Sequence, residues 1–547
     1  MSKFILFKSV DEMPEMAVSK SPMSWNKTGS WRSSTPLHKD KTPPCNFNCP
    51  AGENIRGYID LIKEKKLEDA FKLLTDANPL PSVCGRVCFH PCQANCNRHG
   101  FDTEIQVRLL EKFIGDWALE NEIKIPVPEM TEKKIAVIGA GPAGLAAAHY
   151  LRLNGLNVTM FDENSLPGGI LRYGIPGYRL DKDVLQAELK RVMAGIEFKA
   201  NMRFGRDFDT GDLLDHDAVF LASGAHQSKS LRVGGDDQVG IESGLDFLKS
   251  VNSGEKINLE RKTVAVIGGG NTACDVARTA YRLGADVQVV YRRTEKEMPA
   301  FAEEIEQLKS EPIKLELLAT PVRVENLSTG RLKVFLTKMK LGEPDQSGRR
   351  SPIPIDGEGF ELIVDKMFAA IGEDPDLSFF PEVSKSDNGG FDFTKIDKRL
   401  RDKLLVGGDL LPNPRTVAHA IGSGRLAAEK IVAMLEGSKF EPSQDVIEVA
   451  GFEDVNHHYF SKVNEIKWKT ALVDGGNIDG VDKAVAEANR CFSCGVCSKC
   501  DNCYNFCPDL AVIKTSAGYE VNLDYCKGCG ICANECPGGS LRMEGRS

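Results

Sequence analysis

The sequence predicts an α/β protein with two doubly wound parallel sheets, a small helical module ahead of them and a compact α+β module behind. Two observations carry the sheets. The strand, Gly-rich turn and helix of KKIAVIGAGPAGLAAAHYLRLNG, beginning at Lys133, are followed by a second strand, NVTMFDE. The same grammar returns at 262–293 as KTVAVIGGGNTACDVARTAYRLGADVQVVYRR. A third observation concerns the flanks: of 17 cysteines, six lie between Cys45 and Cys96 and ten between Cys491 and Cys536, with Cys274 alone between the groups.

At 547 residues the chain is long enough for several buried cores. A net charge of -9, from 69 basic and 78 acidic residues, argues against a nucleic-acid partner, because neutralising phosphates takes a surplus of Lys and Arg. Secreted disulfide scaffolds are small and cysteine-dense throughout, so cysteines confined to the ends of a large chain fit metal binding in a reducing compartment. The apolar stretch of MSKFILFKSVDE is too short for a signal-peptide core, and Ile135–Leu151 carries three Gly and a His. A cytoplasmic chain with no membrane span is expected.

In chain order, residues 1–130 comprise an extended arm rich in Pro, Ser, Thr and Lys, then a helical module. Apolar positions at helical spacing run over 53–79 and end at an Asn-Pro breaker. Residues 131–245 and 375–440 form the first sheet domain, 246–374 the second, 441–490 a polar connector ending in a short helix, and 491–547 the last module.

The first turn is Gly139-Ala140-Gly141-Pro142-Ala143-Gly144. In such a turn the first Gly makes the bend and the second admits a pyrophosphate to the backbone. The third lets the helix, with its N-terminal N–H groups, pack close. Asp162, at the end of the next strand, is placed to hydrogen-bond a ribose hydroxyl. The second turn, Gly268-Gly269-Gly270-Asn271-Thr272-Ala273, has no acid at its strand end but Tyr291-Arg292-Arg293. A carboxylate there suits the bare ribose of NAD, whereas arginine suits the 2′-phosphate of NADP, so NADP(H) is expected with Arg292 and Arg293 as determinants. A nicotinamide site beside a flavin site supports hydride exchange without side-chain acid–base groups, and no Ser-His-Asp set or carboxylate dyad is evident. His419 reads as a packed helical His, and Cys274 as a buried apolar residue whose single thiol cannot form a redox-active CxxC.

The C-terminal cysteines read Cys497-x2-Cys500-x2-Cys503-x3-Cys507-Pro508 and Cys526-x2-Cys529-x2-Cys532-x3-Cys536-Pro537. This is the bacterial two-cluster ferredoxin spacing, in which the fourth Cys of each run ligates the other run's cluster. It assigns one [4Fe–4S] to Cys497, Cys500, Cys503 and Cys536, and another to Cys526, Cys529, Cys532 and Cys507. Zinc also takes CxxC pairs, but two complete runs favour iron–sulfur.

Several segments in order resemble the small subunit of glutamate synthase and its relatives: GGILRYGIPGYRL (168–180), GGGNTACDVAR (268–278), VVYRRTEKEMPA (289–300) and VGGDLLPNPRTVAHAIGSGRLAA (406–428). The resemblance spans about residues 40–440. It implies an NADP domain inserted in an FAD domain, a preceding helical iron–sulfur domain and, with the tail, a following α+β ferredoxin-like domain. FAD would lie on Gly139, Gly141, Gly144, Asp162 and Gly169, with Gly408, Asp409 and Val417 closing over it. NADP would lie on Gly268, Gly270, Asn271 and Thr272. ASGA (222–225) and AAIGEDP (369–375) would be the strand-end turns linking the domains.

The N-terminal cysteines resemble that family's cluster domain with two departures. Three residues, not five, separate Cys88 from Cys92, and no CxxC precedes Cys45. AVAEANRCFSC (484–494) looks like the missing piece, carried at the far end of the chain. The resemblance therefore implies one cluster on Cys45, Cys96, Cys491 and Cys494. A second would use Cys49, Cys88 and Cys92, with Glu111 as a fourth, oxygen ligand because relatives place Gln or Glu at the matching position. Cys84 would be a non-ligand.

The expectation is an electron-transfer flavoprotein moving electrons between NADP(H) and a redox partner subunit or ferredoxin through FAD and [4Fe–4S] clusters. It would work in a hetero-oligomer, as the NADP-linked subunit of a ferredoxin-dependent complex such as a 2-oxoacid oxidoreductase. A glutamate synthase small subunit and a stand-alone NADPH:ferredoxin reductase are the alternatives.

Overall fold

The computed structural model describes residues 8–12, 27–345, 348–380, 383–385, 391–412, 414–440, 447–463, 473–474 and 477–545. Parts of the arm (1–7, 13–26) and of the connector (441–446, 464–472, 475–476) lie outside the described residues.

The first sheet is parallel throughout, in the order Leu404–Val406, Ala218–Leu221, Lys134–Ile138, Asn157–Phe161, Glu197–Lys199. Its central strand is an unbroken apolar run because both faces are covered, and Ile135, Ala136 and Val137 are fully buried. Helices Pro142–Leu153 and Val417–Leu435 pack against each other at one end of this layer. The second sheet, also parallel, runs Lys314–Leu317, Asp286–Tyr291, Thr263–Ile267, Lys366–Ala369, Ile241–Ser243. The chain leaves the first sheet after Ala218–Leu221 and re-enters it at Leu404–Val406, so the second sheet is an insertion in the first.

Between the last strands of the second sheet lies a three-stranded antiparallel sheet, Ala319–Asn326, Leu332–Pro344 and Arg350–Val364, which the strand–turn–helix pattern does not announce. Val324, Leu332, Val334 and Leu336 pack on Ala265, Ile267 and Val290 of the parallel sheet.

The helical run over 53–79 divides into Ile55–Lys63 and Leu67–Thr75, because Lys65 takes a left-handed conformation at φ 57°. Ile55, Tyr58, Ile59 and Ile62, then Leu67, Ala70, Phe71 and Leu74, face one core with Val107–Glu120 and the late helix Val481–Ala488.

The arm forms a strand. Ser34–His38 pairs antiparallel with Leu541–Gly545, placing Leu37 opposite Arg542, and the Arg32 guanidinium donates to the Leu523 carbonyl at 2.7 Å. Both ends of the chain thus build the ferredoxin-like module. Among the described residues no helix is long and apolar enough to cross a membrane.

Candidate functional site

Both Gly-rich turns open into one cavity of about 1170 Å³. Its lining includes Gly139, Gly141 and Gly169 on one side and Gly270, Asn271 and Thr272 on the other.

Sterics explain the first turn. Gly139 has φ 101°, and a Cβ there would lie 2.3 Å from the Ala222 carbonyl oxygen. A Cβ on Gly144 would lie 1.8 Å from the Gly139 carbonyl oxygen, so only hydrogen allows the helix to sit this close. On Gly141 the nearest atom would be the Gly169 Cα at 4.0 Å, so the missing side chain leaves room for a ligand's phosphates above the helix N-terminus. The buried Asp162 braces this turn: Oδ2 accepts from the Ala140 N–H at 2.7 Å, and Oδ1 from the backbone and side chain of Asn164 at 2.8 and 2.9 Å. Oδ2 keeps an acceptor direction for a ribose hydroxyl.

Opposite the turn, Gly408, Asp409, Thr416 and Val417 line the cavity at the N-terminus of Val417–Leu435. Thr416 Oγ1 caps that helix by accepting from the His419 N–H at 3.3 Å. The His419 ring contacts the same hydroxyl at 2.8 Å and stacks on Phe89. Burial pushes the Asp409 carboxyl up to about 6, partly offset by the Arg415 guanidinium. The Ser223 hydroxyl, in the ASGA turn, is a buried polar group without a protein partner and also lines the cavity.

At the second turn a Cβ on Gly268 would lie 2.1 Å from the Ala370 carbonyl oxygen, whereas one on Gly270 would meet nothing closer than Pro299 at 3.9 Å. Asn271 Oδ1 accepts from the Phe301 N–H at 2.9 Å, fixing the segment after Pro299. Arg179, from the GYRL segment of the first domain, pairs with Asp275 at 2.6 Å and Glu304 at 2.8 Å and ties the two walls together. These two cradles fit dinucleotides such as FAD and NADP(H).

One expected determinant is used otherwise. Arg293 is 4% exposed; its Nη2 pairs with Asp345 at 2.6 Å and its Nε donates to the Arg350 carbonyl at 2.7 Å. Its guanidinium is held by the antiparallel hairpin, while Arg292 is exposed at the strand end.

The cysteines gather in groups. Burial raises the Cys45 thiol well above its ordinary range, with Cys491, Cys96 and Cys494 adding to the shift as neighbours. Cys92 is raised by burial, then by Cys88 and Cys49. Glu111 lies beside Cys88 and Cys84, and Asn78 Nδ2 donates to Glu111 at 2.7 Å and to Glu53 at 2.9 Å. Burial pushes the Glu53 carboxyl up to about 7. In the tail, burial and then Cys497, Cys500 and Cys536 push Cys503 up to about 12, while burial and then Cys526, Cys507 and Cys529 push Cys532 up to about 11. These sets of sulfur donors suit iron–sulfur clusters, although among the described residues no three His, Cys, Asp or Glu converge as one metal ion requires. Cys84 and Cys274 are buried, and the Cys84 thiol contacts Asn78 Oδ1 at 3.7 Å.

No sequence signal singles out Glu53, which is buried against Asn78 beside Glu111.

Comparison with known proteins gives three matching families: pyridine nucleotide-disulphide oxidoreductase over residues 133–424, dihydropyrimidine dehydrogenase domain II with its 4Fe-4S cluster over 37–123, and 4Fe-4S binding domain over 519–542. The chain is 36% identical to the NADPH-Fe(3+) oxidoreductase subunit beta of Geobacter sulfurreducens, over 83% of this chain and 75% of that one. It is 37% identical to the NADP(+)-dependent formate dehydrogenase subunit beta of Moorella thermoacetica, over 74% of this chain and 61% of that one. Identity to the glutamate synthase [NADPH] small chain of Escherichia coli is 34%, over 72% and 89% of the two chains.

Proposed function

The chain belongs to the pyridine nucleotide-disulphide oxidoreductases, as a relative of the glutamate synthase small chain, and on that premise we propose that it is the NADP-linked electron-transfer subunit of a ferredoxin-dependent complex such as a 2-oxoacid oxidoreductase. It is an NADPH-dependent oxidoreductase of FAD and iron–sulfur type. FAD held on the first turn would supply hydride exchange with a nicotinamide and single-electron exchange with iron–sulfur clusters.

The chain's own residues position and insulate. Gly139, Gly141, Gly144, Asp162, Gly169, Gly408, Asp409 and Val417 hold the flavin nucleotide; Gly268, Gly270, Asn271 and Thr272 hold NADP(H). Cys45, Cys96, Cys491 and Cys494 take one cluster, and Cys49, Cys88 and Cys92 with Glu111 another. The tail's eight cysteines take two more, nearest the partner. Domains fall at 1–130, 131–245 with 375–440, 246–374, 441–490 and 491–547, and the complex works in the cytoplasm.

The observation that carries this reading is the single cavity shared by both Gly-rich turns, in a chain whose cysteines gather in groups. Native anaerobic purification tests it: a co-eluting subunit with a thiamine-dependent 2-oxoacid activity is expected. Elution as a lone chain that reduces free ferredoxin would overturn the subunit assignment. The likeness to the glutamate synthase small chain sustains a second reading, which glutamate formation by a co-eluting large subunit would establish.

A further inference from the structure

The arm reaches further into the ferredoxin-like module than its strand pairing requires. Cys507, Cys526, Cys529 and Cys532, the four ligands expected of one cluster, line a single small cavity, and Pro36 of the arm lines it with them. Just ahead of that strand the arm crosses the loop that carries Cys526. The Gly29 N–H donates to the Asp524 carbonyl at 2.8 Å, and Ser34 Oγ donates to the Gly528 carbonyl at 3.2 Å. Between these contacts lies Arg32, only 9% exposed. Its Nη1 donates to the Leu523 carbonyl at 2.7 Å and to the Cys526 carbonyl at 3.4 Å, while its Nε is buried with no hydrogen-bond partner. The side chain lies over Gly528, where a Cβ would meet the Arg32 Cγ at 2.8 Å. Both acceptors of the guanidinium are neutral carbonyls. The two other cations on this stretch are exposed and matched by acids, Lys27 by Asp524 at 2.7 Å and Lys527 by Asp509 at 2.7 Å. Among the described residues no carboxylate pairs with Arg32. Burial raises the Cys526 thiol, and the Gly528 N–H, 3.4 Å from Sγ, and the Arg32 charge counter it.

We infer that Arg32 raises the reduction potential of the cluster on Cys507, Cys526, Cys529 and Cys532, through the uncompensated positive charge that the arm lays against the Cys526 loop. The inference rests on the reading that these four cysteines hold a [4Fe–4S] cluster. Taking up one electron makes such a cluster one unit more negative, so a fixed cation beside it favours the reduced form. A guanidinium paired with a carboxylate would cancel most of that field at the cluster. A guanidinium held only by carbonyls, and shielded from water by its burial, keeps it. A strut that merely fastens the arm to the loop needs the two hydrogen bonds and not the charge, and that difference separates the two roles. The N-terminal arm is then part of the redox site at the other end of the chain, acting on it by electrostatics as well as by covering it.

The test uses the anaerobically purified full-length holoprotein, titrated with dithionite through redox mediators and followed by iron analysis and low-temperature electron paramagnetic resonance. Cys529→Ala identifies the cluster, as the signal that disappears together with about four iron. In Arg32→Gln, at full iron content, about tenfold less of that cluster is reduced at a fixed potential, a fall of about 59 mV in its midpoint for one electron. The flavin and the N-terminal clusters keep their midpoints. Arg32→Lys, which retains the charge, restores most of the difference. If Cys529→Ala loses neither signal nor iron, the reading of these cysteines and the inference both fall. If the signal is assigned and its midpoint in Arg32→Gln equals that of wild type, or Arg32→Lys falls as far as Arg32→Gln, the inference alone falls. Loss of this cluster from both Arg32 variants marks a strut and overturns the inference as well, whereas loss from Arg32→Gln alone still places the charge at the cluster and supports it.

Discussion

Arg98 and Arg490, 392 positions apart in the chain, are joined by a hydrogen bond from the Arg98 guanidinium to the Arg490 carbonyl. Each is buried; Asp102 pairs with both arginines, and Glu487 pairs with Arg490. Arg98 donates to both oxygens of Asp102 at 2.8 and 2.7 Å, and Arg490 to both oxygens of Glu487 at 2.9 and 3.0 Å. Phe492 lies 5.0 Å from the Arg98 guanidinium, so the segment entering Cys491 is clamped by charge on one side and an aromatic ring on the other.

Breaking this clamp strands buried charge. Arg490→Met is expected to destabilise the protein by about 3–5 kcal/mol, because the buried Glu487 carboxylate loses the guanidinium that neutralises it. Adding Glu487→Leu should recover most of the loss. Thermal unfolding of the single and double variants measures both, and equal losses in the two would refute the assignment of cost to the Glu487 carboxylate.

Four clusters require about sixteen iron atoms per chain. Cys491→Ser is expected to remove about four of them while the ferredoxin-like pair keeps its own. Iron and sulfide analysis with low-temperature electron paramagnetic resonance reads this directly. Near eight iron in the wild-type chain would sink both N-terminal assignments.

Two glycines of one turn should fail in different ways. Gly141, with φ -80°, can accept a methyl group without touching the protein. Gly141→Ala is therefore expected to fold, keep its iron and retain flavin about tenfold more weakly. Gly144→Ala forces a methyl into the Gly139 carbonyl and should cost about 1–3 kcal/mol or more in stability. Flavin content and circular dichroism of the two variants separate the outcomes, and full flavin retention in Gly141→Ala contradicts a phosphate above that residue.

Glu188 caps helix Pro81–Val87, accepting from the N–H groups of Ser82 and Val83 at 2.9 and 2.8 Å and pairing with Arg191 at 2.8 Å. Burial pushes its carboxyl from 4.5 up to about 7. Between those values the folded state binds more protons than the unfolded one, so stability falls as pH rises from about 4.5 to 7, by up to about 3 kcal/mol from this group. Glu188→Gln should flatten that slope. Urea midpoints at pH 5 and pH 7 compare the two proteins, and parallel slopes would refute the prediction.

What the sequence reveals follows the range of the forces involved. The Gly-rich turns and the two parallel sheets are legible because their sterics close within one strand, turn and helix. The gathering of Cys45 with Cys491 is legible only through the resemblance of AVAEANRCFSC to the piece that the N-terminal cysteine module lacks. The ion pair of Arg293 is not legible because its partner, Asp345, is 52 positions away on a hairpin that follows no strand–turn–helix grammar. Glu53 is invisible because its burial depends on Asn78 and Glu111, which no local pattern links to it. The arm shows no apolar period because strand Ser34–His38 binds through its backbone and buries only Pro36.

That pairing has a consequence for how the protein is made. Ser34 leaves the ribosome long before Leu541, and at about 5–20 residues per second the interval is on the order of 25 to 100 seconds. During that time the arm has no strand to lie against and the first cysteines stand without their late companions. Maturation must therefore be post-translational at both ends. A ribosome stalled short of the last strand would display an open, oxidation-prone nascent chain for cluster-assembly and holding factors to guard.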